Sequence, residues 1–252
     1  MNGTVALRGK KKMWMLRQVS NDLGTGGVRI ISGVACLLQC VFALQAHAGE
    51  WDEAAWDWRA GDLIFRSGID PMDDLIAQAS EAEFGSVAIV RAGSGGPHVV
   101  YVDPLRGVTE TMLDDFIADL GEENYAAYRV KDMADWGQGD SPISYNALLV
   151  AYGHDADRFR LLGGDAYYGA EMVFLAALGA GVALGASTKR AELAKNSPDL
   201  KEAFLADWQE NPYCTYVTTR KECWSAIRGT AVLTSGAIQS DPGLEKVYPL
   251  PD

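Results

Sequence analysis

The sequence predicts an α+β protein in which a small antiparallel sheet packs against helices. Two observations predict this class. Two strand-like runs, 85–93 and 98–103, are joined by a Ser-Gly-Gly-Pro turn, which favours a hairpin. Further along, a serine followed by a proline at 141–142 and at 197–198 has the pattern of a helix start. No internal repeat or low-complexity linker divides the chain, so one domain is the economical interpretation.

Local patterns give the order of the elements. Short runs of β-branched and aromatic residues after a turn indicate a strand. Apolar residues at helical spacing, with acidic residues in the first turn, indicate a helix. The predicted order is strand 60–68, helix 72–82, strands 85–93 and 98–103, helix 111–120, strand 125–132, and helices 141–153, 168–184 and 197–209. The tail beyond residue 230 predicts loop and short elements.

The first 48 residues have the pattern of a signal peptide. A basic segment precedes an apolar run at 30–44, and Ala46-His47-Ala48 matches a small-x-small cleavage site. We therefore predict cleavage after Ala48, a domain over 49–252, and a periplasmic or secreted location. An uncleaved membrane anchor and a lipoprotein attached at Cys36 stay open as alternatives, although the run is shorter than the ~20 residues that span a bilayer.

The predicted domain is strongly acidic. The leader holds six of the 22 basic residues and one of the 34 acidic residues, which leaves 16 basic and 33 acidic residues. Such a surface repels nucleic acids and anionic lipid head groups. We therefore predict no nucleic-acid partner, and the sequence identifies no protein partner.

Cysteines and histidines are few in this domain. Cys214 and Cys223 most simply form a disulfide in an oxidising compartment, with a reactive thiol as the alternative. The histidines are His98 and His154, and the sequence has no His-Glu-x-x-His or paired-cysteine pattern. We therefore predict no metal site and no cofactor.

Several short strings, in this order, resemble a known family. The clearest are GDLIF (61–65), GSVAIV (85–90), VYVDPLRGVTETMLDDF (100–116), YGAEMV (168–173) and the ending at 232–248. Together they resemble the permuted NlpC-type papain-like cysteine hydrolases of the YiiX/YebB-like branch. The resemblance implies a permuted papain-like fold and a hydrolase of the cell envelope. It also implies acyl transfer at amide or ester bonds, with cell-wall peptides among the substrates.

The resemblance also assigns roles to positions. The family's strand reads Ser-His-Val-Gly-Ile-Val, and Ser86 stands here at the place of the histidine base. The family's helix reads Tyr-Cys-Ser-Glu-Leu-Val, and Gly169 stands at the place of the cysteine nucleophile. Asp103 lies near the family's acidic third member. The other matching positions, which we expect to line the cleft, are Tyr168, Glu171 and Asp62.

The two substitutions predict a catalytically degenerate homologue that binds a cell-wall peptide or another acyl-amide ligand. Loss of the nucleophile from such a triad lowers the rate by about 10⁴- to 10⁶-fold. The hydroxyl of Ser86 cannot replace an imidazole, because it does not titrate near neutral pH. Two alternatives stay open: an active cysteine amidase or peptidase with relocated residues, with His98 as a possible substitute, and a protein-binding or inhibitor module on the same fold.

Overall fold

The structure is a computed structural model that describes residues 56–137, 139–195 and 197–250. The predicted signal peptide and its cleavage site lie outside these ranges. A six-stranded sheet with the order β4-β3-β2-β1-β5-β8 is the centre of the molecule, and its neighbouring strands pair antiparallel. Its strands are β1 (Leu63–Arg66), β2 (Ser86–Gly93), β3 (Gly96–Asp103), β4 (Gly107–Met112), β5 (Tyr125–Val130) and β8 (Leu244–Tyr248).

Outside the sheet, the described part of the chain has α-helices, three short 3₁₀ helices and one small ribbon. The helices are α1 (Pro71–Ala79), α2 (Leu113–Ile117), α3 (Pro142–Val150), α4 (Gly169–Gly179), α5 (Arg190–Leu193), α6 (Pro198–Phe204), α7 (Arg220–Ile227) and α8 (Ser235–Gln239). The ribbon joins β6 (Thr188–Lys189) to β7 (Ala231–Val232). Across the described ranges, we find no helix that is both long and apolar enough to cross a membrane.

Serine-proline pairs begin two of these helices as predicted. The Ser141 hydroxyl accepts a hydrogen bond from the Ser144 amide at the start of α3, and the Ser197 hydroxyl does the same for the Leu200 amide in α6. In each helix, a proline occupies the first turn, where its missing N–H costs nothing. The chain therefore enters both helices at positions that the sequence specifies.

Alternation along the strands divides the core between the two faces of the sheet. Val87 and Ile89 pack with α3 and α4 on one face. Ala88 and Val90 pack with α2 and Trp56 on the other. The α+β class, with a small antiparallel sheet packed against helices, is thus confirmed.

The predicted element order was wrong around residues 111–120. The segment 111–120 was predicted as one helix, but β4 extends through Met112 and the helix α2 keeps only Leu113–Ile117. The hairpin register explains the difference, because β4 pairs with β3 along its whole length, from Gly107 to Met112. The tail holds short elements as predicted, and one of them, β8, pairs with β5 and enlarges the sheet.

A third core cluster lies around the predicted disulfide. Cys214 and Cys223 are bonded to each other, which confirms the prediction. Both cysteines are buried among apolar residues of α1, α6 and α7. The disulfide therefore joins the segment that follows α6 to α7 over a core that is separate from the two faces of the sheet.

The outer strand β4 is partly covered along its free edge. The Val108 amide donates to the His154 carbonyl at 2.8 Å, and the Gly153 amide donates to the Val108 carbonyl at 2.9 Å. Gly107 lies so close to this segment that a Cβ there would fall 2.1 Å from the His154 oxygen. His154 belongs to no motif of the sequence, but its backbone carbonyl pairs with the edge of the sheet.

Candidate functional site at the start of helix α4

Helix α4 begins where β2 and β3 part. β2 pairs with β1 from Ser86 onwards, but it pairs with β3 only from Ile89 and Val100. The Val90 amide donates to the Asp62 carbonyl, on the side of β1. Because the backbone groups of successive residues in an antiparallel strand face alternate sides, those of Val87 face the side of β3. Gly169, the first residue of α4, lies against those groups. The start of the helix therefore occupies the gap that β3 leaves beside Val87.

Backbone lies close to the position at which the resemblance places a nucleophile. Gly169 is buried, and a Cβ added there would lie 3.1 Å from the Val87 oxygen and 3.8 Å from the Val87 nitrogen. The shorter distance is tighter than ordinary van der Waals contact, so any side chain at 169 would require β2 to shift. We call Ser86, Val87 and Gly169 together the closed centre.

Ser86, the residue at the histidine's position, is sealed within this centre. Its exposed fraction is 7%, and its hydroxyl oxygen has no hydrogen-bond partner within the described residues. The next residue towards the N-terminus, Gly85, donates its amide to the Ser67 hydroxyl. Gly85 also lies directly against α1, because a Cβ there would be 2.1 Å from an Asp74 carboxylate oxygen. The start of β2 is thus packed tightly on both of its sides.

Asp103, the residue near the family's third position, is engaged in its own turn. Its carboxylate accepts hydrogen bonds from the amides of Leu105 and Arg106, and it forms an ion pair with the Arg106 guanidinium at 2.9 Å. Partial burial raises the pKa of Asp103, but these donors outweigh it and hold the pKa below its ordinary value. The carboxylate therefore shapes the β3–β4 turn and makes no hydrogen bond to Ser86.

Tyr168 and Glu171 lie on either side of Gly169 and are both buried. The Tyr168 hydroxyl accepts a hydrogen bond from the Leu233 amide at 3.0 Å. One carboxylate oxygen of Glu171 accepts from the Gly163 amide at 2.7 Å, and the other has no partner within the described residues. Burial, reinforced by the negative charge of Asp157, raises the pKa of Glu171 to about 7.

A buried arginine, which the sequence analysis missed, stacks over this region. The Arg160 guanidinium is 5.6 Å from the centre of the Tyr168 ring, and its exposed fraction is 2%. It pairs with Asp70 at 2.7 Å and with Asp73 at 2.8 Å. Burial outweighs this attraction and raises the pKa of Asp73 to about 6. No local pattern indicates the pair, because Asp73 and Arg160 are 87 residues apart in the chain.

Asp62 and His98 lie away from the closed centre. Asp62 forms a buried ion pair with Arg129 at 2.7 Å and is level with Val90, about 13 Å along β2 from Ser86. His98 pairs in register with Arg91, which lies about 16 Å along β2 from Ser86. The His98 ring packs over Gly93. The structure therefore does not bring His98 to Gly169, since it lies at the opposite end of the hairpin.

The structure also bears on a free thiol and on a metal site. Both cysteines of the described ranges are in the disulfide, so neither offers a thiolate. Within the same ranges, no cluster of three histidine, cysteine or acidic side chains could hold a metal ion. The closed centre thus has a helix start and a strand but no nucleophilic sulfur and no imidazole.

Comparisons with known proteins support the architecture alone. No protein-family model and no curated protein matches the chain. Among solved structures, the chain is similar to the crystal structure of the metalloprotein yiiX from Escherichia coli O157:H7, of DUF1105. The TM-score is 0.56 at 20% identity, over 76% of this chain and 97% of that one. The two proteins therefore share a fold.

Proposed function

We propose that this protein is a YiiX/YebB-like homologue of the permuted NlpC-type papain-like hydrolases that binds its ligand without cleaving it. The ligand is a cell-wall peptide or another acyl-amide, and the protein acts in the cell envelope. The observation that carries the proposal is the closed centre. A helix start meets a strand there in the order that the resemblance requires, and glycine and serine replace the two reacting side chains.

Physical chemistry supports loss of the reaction. A thiolate at a helix start is stabilised by the helix dipole and by a neighbouring imidazolium, and the imidazole then carries the proton. Gly169 has no side chain to attack a carbonyl, and Ser86 is buried without a hydrogen-bond partner in the described chain. Neither residue can perform its step of acyl transfer.

The disulfide supports the envelope location, because such bonds persist in oxidising compartments. It also counts against an active hydrolase with a relocated nucleophile. Such an enzyme would need a free thiol, and the cysteines at 214 and 223 are joined to each other.

A protein-binding module is the second candidate, and an exposed apolar surface on α3 and α4 favours it. Tyr145 is 56% exposed, Leu149 70% and Leu178 49%. Large apolar side chains exposed close together on a surface often mark a contact with another protein. Co-purification of one protein in stoichiometric amount, lost on L149D substitution, would favour this candidate over the first.

The first candidate is tested by incubating the full chain with soluble cell-wall peptides. We expect the melting temperature to rise with peptide concentration, while mass spectrometry finds every peptide intact. New fragment masses would overturn the proposal. So would peptide-protected labelling of Cys214 or Cys223 by a thiol reagent under non-reducing conditions.

A further inference from the structure

A surface groove lies beside the closed centre. It encloses about 620 Å³ between the turn that follows α1 and the helix α8. We call it the acceptor groove. Its walls include Ser80, Glu81, Glu83, Tyr128, Thr188, Thr234, Gln239 and Ser240.

Charge in the acceptor groove has one sign. Glu81 and Glu83 are its charged side chains, and no lysine, arginine or histidine is among the residues that line it. Both glutamates are exposed, so their carboxylates can meet a ligand without prior rearrangement. An anionic ligand would be repelled here, whereas a cationic one would be attracted.

Three of the hydroxyl groups in the groove direct their hydrogens into the protein. The Ser80 hydroxyl donates to the Ile76 carbonyl at 2.8 Å, and the Ser240 hydroxyl donates to the Gly236 carbonyl at 2.8 Å. The Thr188 hydroxyl donates to the Glu192 carboxylate at 3.0 Å. Each of these oxygens keeps lone pairs for a further bond but has no hydrogen left to give. These three hydroxyls therefore offer acceptors to a ligand, whereas the Thr234 and Tyr128 hydroxyls accept hydrogen bonds from the protein and keep a hydrogen.

An amide fixes one of the glutamates in place. The Gln239 side-chain nitrogen donates to the Glu83 carboxylate at 3.2 Å and to the Tyr128 hydroxyl at 3.0 Å. Both of its hydrogens are thereby engaged within the wall. The Glu83 carboxylate is consequently held at the groove with lone pairs left over, which lowers the entropic cost of binding a donor.

The wall of the groove is tied directly to the closed centre. The Ser235 hydroxyl donates to the Phe84 carbonyl at 2.6 Å, two residues before Ser86. The Leu233 amide donates to the Tyr168 hydroxyl, one residue before Gly169. One short segment, 233–235, therefore borders both regions.

We infer that the acceptor groove binds the amine-bearing part of the ligand, a primary ammonium presented by a peptide. The inference rests on the proposed function, and it specifies which part of a cell-wall peptide the protein recognises. An ammonium carries three donors and a positive charge, and the groove supplies carboxylates and hydroxyl lone pairs to accept them. A peptide without a free amine lacks the group that these acceptors recognise.

Calorimetric titration of the full chain tests the inference with two peptides. One is acetyl-Ala-Lys-Ala-amide with its free side-chain amine, and the other is the same peptide with that amine acetylated. We expect the free-amine peptide to bind about tenfold more tightly, because the acetylated one loses its charge-assisted hydrogen bonds. The double variant E81Q/E83Q should weaken binding of the free-amine peptide by a similar factor. Equal affinity for the two peptides would overturn the inference.

A matched variant controls for the loss of negative charge. E122Q/E123Q changes two exposed glutamates that do not line the groove, and it should bind as the unmodified chain does. Binding that is unchanged in E81Q/E83Q, or weakened equally in both double variants, would also overturn the inference.

The outcomes separate this inference from the proposed function. Cell-wall peptides that bind the unmodified chain and E81Q/E83Q equally would refute the groove and leave the proposed function standing. The expected pattern with the lysine peptides, together with no binding of cell-wall peptides, would refute the cell-wall ligand and leave the groove standing.

Discussion

The closed centre and the acceptor groove share the segment 233–235, but they are packed in opposite ways. At the closed centre, Gly169 brings a helix start against the backbone of Val87, so that a Cβ there would approach the Val87 oxygen at 3.1 Å. In the groove, carboxylates and hydroxyl oxygens face open space of about 620 Å³. The difference shows that one short segment can border a tightly packed backbone contact on one side and an open polar surface on the other.

Tight packing of Gly85 against α1, next to the closed centre, predicts that Gly85→Ala has the largest effect on stability. The new Cβ would lie 2.1 Å from an Asp74 carboxylate oxygen and 2.9 Å from the Asp74 backbone nitrogen. Because α1 cannot move away without disturbing its packing, we expect a loss of about 3 kcal/mol in the free energy of unfolding. Urea unfolding measures it. Gly229→Ala is the control, since a Cβ there has no neighbour within 4 Å, and equal effects of the two would contradict the comparison.

Glu171 should make stability depend on pH. Burial raises its pKa from 4.5 to about 7 in the folded chain, so the folded state holds the proton more tightly than the unfolded state does. Its contribution is therefore fully present below pH 4.5 and is lost as pH rises through about 7. Asp73 contributes in the same direction up to about pH 6.

The variant E171Q isolates this contribution. We expect the decline in unfolding free energy between pH 5 and 8 to be smaller in E171Q than in the unmodified chain, by about 1–2 kcal/mol. Thermal or urea unfolding across this range provides the measurement. Parallel pH profiles for the two proteins would show that Glu171 ionises as it would in water.

Gly169→Ala is expected to cost less, about 1 kcal/mol. The added methyl would approach the Val87 oxygen at 3.1 Å, and the overpacking outweighs the gain in helix propensity that alanine brings. The melting temperature and the urea midpoint report the change. A more stable variant would mean that β2 yields easily and that the centre can accept a side chain.

Substitutions in the acceptor groove should have the smallest effect on stability. Both glutamates of E81Q/E83Q are exposed, so we expect the free energy of unfolding to stay within about 0.5 kcal/mol. The same variant is expected to lose amine binding, which would separate recognition from folding. A large loss of stability would instead place these glutamates among the residues that support the fold.

Local signals in the sequence were sufficient for much of this architecture. Ser141 and Ser197 mark helix starts because the capping bond is made within one turn of the chain. The helix predicted from residue 168 begins at Gly169, although it ends at Gly179 and not at residue 184, and the pairing of Cys214 with Cys223 followed from their number and the expected compartment. Each of these features depends on near neighbours or on composition.

Features that depend on distant contacts were not predictable. The local sequence predicts a solvated loop residue at Arg160. Its burial against Asp73 depends on the fold, which brings together two residues that are 87 positions apart. The segment at 111–120 has helical composition, but pairing with β3 extends the strand through Met112. The approach of Gly169 to Val87 is a backbone contact, and periodic patterns of side chains carry no information about it.

The segment at 153–154 has a consequence for how the protein behaves among its own copies. Strand β4 ends the sheet, and an unpaired edge is a template on which a second chain can add a strand and begin to aggregate. Val108 has both of its backbone groups committed to that segment. An incoming strand therefore finds the start of this edge already paired, which disfavours strand addition at Val108.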